Sequence, residues 1–238
     1  SDNRYGAYSK KVKSVFVSHQ LQVLMPAAFK WMQPAVNYFN HRQISRFTAC
    51  WAPAPANHPF AELMPAATLQ PPVQYIGYLS RLRFVQQPLT YKLAVLCSGP
   101  EPQRSLFEQI ALKELQQVEG NVLLIRGKPA ETKAPVTSTG NVTVVNFLDS
   151  AAMSKAMAQS EFILTRPGYS TVMDLGKLGK KAIFVPTPGQ TEQEYIGEVL
   201  MKNGTALCMP QHKFNLQQAL KLSVNYTGFK PTANDHAL

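Results

Sequence analysis

The 238 residues are enough for one large domain or two small ones with a sizeable core, and a chain 45% hydrophobic and 16% charged is globular rather than disordered. With 24 Lys and Arg against 14 Asp and Glu, the formal charge of +10 favours an acidic partner: a nucleotide, a nucleic acid or an anionic membrane surface. Cys50, Cys97 and Cys208 are too few and too scattered for a disulfide framework and fit a reducing compartment; the five histidines show no metal-ligand spacing.

No apolar run approaches the roughly 20 residues of a spanning helix, and nothing reads as a signal peptide, so a cytoplasmic protein is expected. The opening SDNRYGAYSKK has no methionine and leads at once into strand-like VFVSH. A preceding segment, or a partner chain, is therefore expected to complete the first domain. SVFVS (14–18) reads as a short buried strand ending at His19. From Leu21 to Phe47, the apolar residues Phe29, Met32, Val36, Phe39 and Phe47 recur at roughly helical spacing. Lys30, His41, Arg42 and Arg46 give that stretch a basic side, and Pro26 and Pro34 should restart or kink it. An amphipathic helix packed on a sheet is expected; the sharper alternative is a basic, aromatic-bearing surface that lies on a membrane. Pro53, Pro55, Pro59, Pro65, Pro71 and Pro72 make 51–72 a loop or strand edge. VQYIGYLSRL (73–82) reads as strand and turn, and 83–90 as a linker between a partial domain 1–82 and a second domain 91–226.

Within the second domain strands and helices alternate. Strands are expected at 93–99, 121–127, 141–148, 161–168, 181–188 and 205–210. Helices are expected at 105–118, 151–160, 170–179, 192–204 and 215–224, followed by a loose tail, 227–238. This order predicts an α/β, Rossmann-like, doubly wound parallel sheet. Such sheets take ligands at the carboxyl ends of their strands. Candidate residues are then those just past each strand: Ser98, Gly99 and Glu101; Arg126, Gly127 and Lys128; Leu148 and Asp149; Arg166, Gly168, Tyr169, Ser170 and Thr171; and Pro188, Gly189, Gln190 and Thr191. Glycines let backbone approach a ligand, and helix amino termini offer N–H groups to phosphate. The first strand is followed by SGPEPQR, which is neither the dinucleotide fingerprint nor a Walker loop. Thr171 with Asp174, and Thr191 with Glu194, fit capping boxes. Asp174 also fits an acid that holds a ribose hydroxyl pair.

The run RPGYSTVMDLGKLGKKAIFVPTPGQTEQEY (166–195) resembles the donor-site signature of GT-B glycosyltransferases, and is similar to that of the peptidoglycan UDP-N-acetylglucosamine transferase family. The resemblance covers most of 73–205, with 164–196 its specific part. It implies a GT-B-like fold whose C-terminal Rossmann-like domain binds a UDP-sugar. By position it implies Asp174 at the ribose, Gln193 and Glu194 at the sugar hydroxyls, and the backbone of Leu148 at uracil. It also implies Arg81 at the diphosphate and Gly99 in the phosphate loop, where Pro100 departs from the family's frequent serine. Glu101, Arg166, Gly168, Ser170 and Thr171 complete the expected donor site. SVFVSHQLQ resembles the strand and loop that carry a His-Glu pair near the acceptor; His19 is kept as the candidate base and Gln20 replaces the acid. The family's Gly-rich loop has no counterpart in these residues.

The resemblance implies an inverting, metal-independent transfer of a hexose or N-acetylhexosamine from a UDP-sugar to an acceptor, with no cofactor beyond the donor. Leaving-group stabilisation would fall to helix amino termini, loop amides and Arg81, with Arg104 or Arg166. The basic face of 30–46 suits an anionic membrane if the acceptor is lipid-linked, as in that cell-envelope family, which would make the protein peripheral on the inner face. Two rivals share the donor site: a non-catalytic nucleotide-sugar-binding subunit and a UDP-sugar epimerase. A nucleic-acid partner is not expected, because the positive charge is spread and no aromatic-basic module occurs.

Overall fold

The computed structural model describes residues 5–9, 11–19, 21–55, 69–129 and 135–230. They fall into two compact units, Ser1–Leu79 and Ser80–Leu238. Gln20 and the tail beyond residue 230 lie outside the described residues.

In the first unit, β1 (Val15–Val17), β2 (Ala49–Ala52) and β3 (Val73–Tyr75) form a parallel sheet in the order β1-β2-β3. Phe16 pairs with Cys50, and Cys50 with Val73. The four residues of β2 overlap the proline-rich stretch read as loop; so short a strand has too few positions for an alternation to register. Pro26 precedes a 3-10 helix, Ala27–Met32, and Pro34 stands in the first turn of α1 (Gln33–Ile44), so both prolines begin helices rather than kink one. Phe16, Ile44, Phe47 and Cys50 are buried, with the Phe16 and Phe47 rings 5.1 Å apart.

The inner face of α1 is not the expected apolar stripe. Phe29 and Phe39 are 53% and 62% exposed, and Trp31 and Tyr38 also face solvent. The face turned inward carries Gln33, Asn37, Asn40 and Ile44. Gln33 accepts from the Met25 amide (3.1 Å), and Asn37 accepts from the Val23 amide (2.7 Å) and donates to its carbonyl (3.3 Å). Asn40 donates to the Leu21 carbonyl at 2.8 Å. The segment 21–25 belongs to no sheet, so its backbone groups need other partners. Amide side chains at helical spacing supply them and displace the apolar residues to the outside.

The second unit is a seven-stranded sheet. In sequence order its strands are β4 (Tyr91–Leu96), β5 (Val122–Ile125), β6 (Pro135–Thr139), β7 (Val142–Val145), β8 (Ser160–Thr165), β9 (Lys181–Phe184) and β10 (Leu207–Cys208). In space they run β10-β9-β8-β4-β5-β7-β6, all parallel except β6, which pairs antiparallel with β7. Helices α2 (Gln103–Leu115), α3 (Ser150–Ala158), α4 (Tyr169–Leu178), α5 (Thr191–Lys202) and α6 (Leu216–Ser223) alternate with them. This is the expected doubly wound α/β sheet. The short hairpin strand β6 is the element not expected, since PVTST lacks an apolar alternation.

Neighbouring residues of the central strand explain why the strands read as continuous apolar runs. Leu93 and Val95 pack with Phe107, Ala111 and Leu115 of α2 and with Leu216 and Ala219 of α6. Ala94, between them and therefore on the opposite face, is equally inaccessible, as is Ile163 beside it on β8. A sheet covered on both faces selects apolar residues at every position.

Gly127, just past β5, has φ +71°, and a Cβ there would collide with the carbonyl oxygen of Cys97 at the end of β4. The Gly127→Ala protein should lose about 3 kcal/mol of stability, read from denaturant unfolding monitored by circular dichroism.

Candidate functional site

The strand order reverses at the centre of the second sheet. From β4 the chain moves outward through β5 to β7, then returns to the other side of β4 at β8 and continues through β9 to β10. The switch point is therefore between β4 and β8, where the loops 98–102 and 166–168 leave their strands and enter α2 and α4. Both helices begin at this crevice with their positive dipole ends.

On the β4 side, Gly99 adopts φ +99°, and a Cβ there would meet nothing within 4 Å, so the loop surface is open. Glu101 accepts hydrogen bonds from the Ser105 amide (3.2 Å) and hydroxyl (2.9 Å) and pairs with Arg104. Arg104 is buried, and donates to the Arg126 carbonyl (2.9 Å) and to Glu108 (3.4 Å). Arg126 donates to the other Glu108 oxygen (2.6 Å) and to Asn146 (3.2 Å). A charged network thus spans the carboxyl ends of β4, β5 and β7. Leu148 follows it, half-buried, just before Asp149, which caps α3 by accepting from the Ala152 amide at 2.9 Å. Burial pushes the Cys97 thiol beneath this network up to about 12, so it stays protonated.

On the β8 side, Arg166 differs from expectation. The phosphate contact expected of it needs an accessible side chain, and this one is 2% exposed. One terminal nitrogen donates to the carbonyls of Val185 (2.8 Å) and Pro186 (2.9 Å), and the other to Gln211 (2.6 Å). Its guanidinium also stacks 4.4 Å from the Phe107 ring centroid. Burial lowers its pKa to about 10, which still leaves it charged at neutral pH. Arg166 braces the loop from within, and Arg104 is likewise occupied by protein acceptors.

The two capping boxes also need correction. The cap of α4 is Gly168, in extended conformation and without a side-chain bond. Thr171 is therefore the third helical residue and Asp174 the sixth, a full turn beyond the amides that a capping carboxylate serves. Gly168, the exposed Ser170 and the half-buried Thr171 form the start of the helix at the crevice. Asp174 instead accepts from the Ser80 hydroxyl at 2.5 Å, and Ser80 accepts from the Leu82 amide at 3.0 Å. Burial raises the Asp174 pKa, while the Ser80 bond and the charge of exposed Arg81 pull it down. The cap of α5 is Gln190 rather than Thr191, again without a side-chain bond. Gln193 accepts from the Thr187 amide (2.8 Å) and Glu194 from the Gly189 amide (3.1 Å), so both brace the turn 187–189 after β9.

The fold thus brings Ser80, Arg81 and Asp174 together, and sets Gln193 and Glu194 at the next strand end. His19, half-buried after β1, belongs to the other unit. Ser80 escaped sequence reasoning because a serine beside the conspicuous Arg81 carries no pattern. The four-residue spacing of Arg104 and Glu108 on a helix was a readable signal for the buried network. Among the described residues, no group of three or more His, Cys, Asp and Glu side chains is placed to hold a metal ion.

Residues 98–234, more than half of the chain, match the glycosyltransferase family 28 C-terminal domain. The chain belongs to glycosyltransferase family 28. A relative from Haemophilus ducreyi, named UDP-N-acetylglucosamine--N-acetylmuramyl-(pentapeptide) pyrophosphoryl-undecaprenol N-acetylglucosamine transferase, is 26% identical over 138 residues. That stretch is 56% of this chain and 38% of the relative, so the chain spans under two fifths of its length. Among solved structures, the glycotransferase of kitacinnamycin superposes with a TM-score of 0.61 at 15% identity, over 90% of this chain and 63% of that one. MurG of Acinetobacter baumannii gives 0.52 at 19% identity, over 84% and 59%. These likenesses fix the fold as GT-B, with the second unit as its Rossmann-like C-terminal domain. The family match begins at Ser98, so it takes in the crevice loops, Asp174 and the Gln193–Glu194 turn.

An ionised Asp174 works against this fold. Its folded pKa is above the ordinary carboxylate value, so the folded state holds the proton to higher pH than the unfolded chain. Stability is therefore lost as pH rises through that interval. Asp174→Asn, which can still accept from Ser80, should melt at higher temperature than the parent at pH about 7, and the gap should close near pH 3.

Proposed function

We propose that this family 28 chain binds a UDP-sugar through its second unit and takes part in transfer of a hexose or N-acetylhexosamine to an acceptor hydroxyl. The observation that carries this reading is Asp174: a desolvated carboxylate, oriented by Ser80, on the helix that begins at the switch point of the sheet. A half-buried, partly desolvated carboxylate is costly to a fold, and a ribose hydroxyl pair would offset that with two charge-assisted hydrogen bonds. The name of the Haemophilus ducreyi relative supports a UDP-N-acetylglucosamine donor and an undecaprenol-linked acceptor.

In the reaction we infer, the acceptor oxygen forms a bond to the anomeric carbon from the face opposite the leaving group. The bond from that carbon to the diphosphate oxygen breaks, and UDP departs with the electron pair. The proton of the acceptor hydroxyl passes to a base, for which His19 is our candidate on the resemblance of its strand alone. Amides at the amino termini of α2 and α4, with Arg81, would meet the charge gathering on the leaving diphosphate, so no step calls for a metal ion. Gln193 and Glu194 would face the sugar, and the backbone of Leu148 the base. We assign the first unit to the acceptor.

A lipid-linked acceptor would demand that the protein work at a membrane surface, and the segment 29–46, the short 3-10 helix with α1, has the means. Phe29, Trp31, Met32, Tyr38 and Phe39 are exposed, and the cations Lys30, Arg42 and Arg46 are interspersed with them. Apolar side chains ringed by basic ones suit the interface of an anionic bilayer. No helix among the described residues is long and apolar enough to cross one.

Calorimetric titration tests the donor site. The chain should bind UDP saturably, and Asp174→Ala should weaken that binding roughly tenfold or more, the scale of one or two hydrogen bonds to a charged group; unchanged affinity would remove Asp174 from the site. Sedimentation with vesicles tests the surface: binding should need anionic lipid, weaken with salt and fall in a Trp31→Ser, Phe39→Ser double variant.

A further inference from the structure

The first unit is almost without acidic residues. Before Ser80 the sequence holds seven Lys and Arg but only two acids, Asp2 and Glu62, and both acids lie outside the described residues. At the end of α1, Phe39, Arg42, Gln43, Ser45 and Arg46 line a cleft of about 580 Å³. Among the described residues, neither guanidinium there has a carboxylate partner. Arginines near the end of a helix commonly cap its last carbonyls. Here that work is already done. The Ser45 amide donates to the His41 carbonyl (2.9 Å) and the Ser45 hydroxyl to that of Arg42 (2.9 Å), while the amides of Arg46 and Phe47 donate to Gln43 (3.3 Å) and Ile44 (3.0 Å). Arg46 is instead held in place for something else: its guanidinium lies 3.7 Å from the Tyr8 ring centroid and donates to the Gln43 side-chain oxygen at 2.8 Å. Stacking uses a face of the guanidinium and leaves most of its N–H edge for an acceptor.

We propose that this cleft seats the phosphate of an anionic lipid headgroup, and that it takes a phosphomonoester in preference to a phosphodiester. The inference rests on the membrane surface set out above and makes one place on it selective. Charge determines the ligand class: two guanidiniums without an acid of their own call for an anion with several acceptor oxygens, which phosphate offers to the arginine fork. Surroundings determine its source. Phe39 lines the cleft, and the exposed Tyr38 ring stands edge-on to it at 5.8 Å, so a molecule seated here has apolar side chains beside its phosphate. A lipid has matching groups; a free anion does not. Oxygen count determines the preference. A monoester presents three terminal oxygens and takes a second negative charge near neutral pH, enough to engage both arginines, whereas a diester presents two oxygens and one charge. The carboxyl end of α1 opposes an anion with a partial charge only, against two full positive charges.

Sedimentation with phosphatidylcholine vesicles containing either phosphatidic acid or phosphatidylglycerol, matched in surface potential, tests this. The parent should bind the phosphatidic acid vesicles roughly tenfold more tightly, the scale of one added charge-assisted hydrogen bond. Arg42→Gln, at an exposed position, and the Arg42→Gln, Arg46→Gln double variant should lose that preference, with thermal melts to verify folding. A Lys11→Gln, Lys13→Gln variant removes two charges from exposed side chains outside the cleft; it should weaken binding to both vesicles alike and keep the preference. No preference in the parent, or one that survives in the arginine variants, would overturn the seat while leaving the membrane surface standing. Binding of glycerol 3-phosphate or inorganic phosphate as tight as that of the vesicles, and lost in the arginine variants, would overturn the lipid as its source. Failure of the parent to bind either anionic vesicle would overturn the membrane surface, and this inference with it.

Discussion

Arg166 leaves the carboxyl end of β8 and turns inward, where its guanidinium bonds the end of β9, reaches Gln211 beyond β10, and stacks on Phe107 of α2. Four elements that the chain visits at distant times are thereby fixed at one edge of the sheet. Everything attributed to the crevice depends on that edge being rigid, because loops hold ligand groups only as precisely as their anchors hold them. The planar fork of arginine suits this work: it can bond two directions and stack in a third, which an ammonium on a flexible stem cannot do. The cost is a buried charge, offset here by carbonyl and amide oxygens rather than by a carboxylate. An acidic partner at this place would have given a tighter pair, but it would also have put negative charge beside the site proposed for an anionic donor.

The two flanks of the switch point handle charge in opposite ways. On the β8 side the guanidinium of Arg166 is sealed inside, and the half-buried carboxylate of Asp174 lies beside exposed Arg81. On the β4 side two cations lie just under the surface, screened by carboxylates. A nucleotide sugar has this same polarity, with hydroxyls on the ribose and negative charge on the diphosphate.

The alternation of strands and helices after residue 90 was legible because the central strands, covered on both faces, carry apolar runs, and most of the helices are flanked by Gly, Pro or Asn. The switch point was not legible, since strand order is a property of the assembled sheet. Asp174 could be named from the spacing of RPGYSTVMD, but its freedom from capping could not. That depended on α4 starting at Tyr169, three residues before the local pattern would place its first turn. Arg166 was misjudged for a related reason: a loop arginine after a strand reads as exposed, and only the approach of Gln211 and the ends of β9 creates an interior for it. The inverted face of α1 shows the same limit. Hydrophobic periodicity assumes that a helix buries carbon, whereas this one buries amides because the segment beside it lies in no sheet and bonds its backbone to side chains.

The outermost strands of the large sheet have a consequence for how the molecule meets copies of itself. A parallel sheet ending in a long straight strand presents unpaired amides and carbonyls that any extended chain could join. Here β10 ends one side after two residues, too short to template an added strand. The other side ends in β6, which runs against the prevailing direction, begins at a proline and shifts register between Pro135 and Thr137. A proline cannot donate, and an irregular register cannot be copied, so neither border propagates the sheet. The hairpin that sequence patterning overlooked is thus the element that closes the sheet against aggregation.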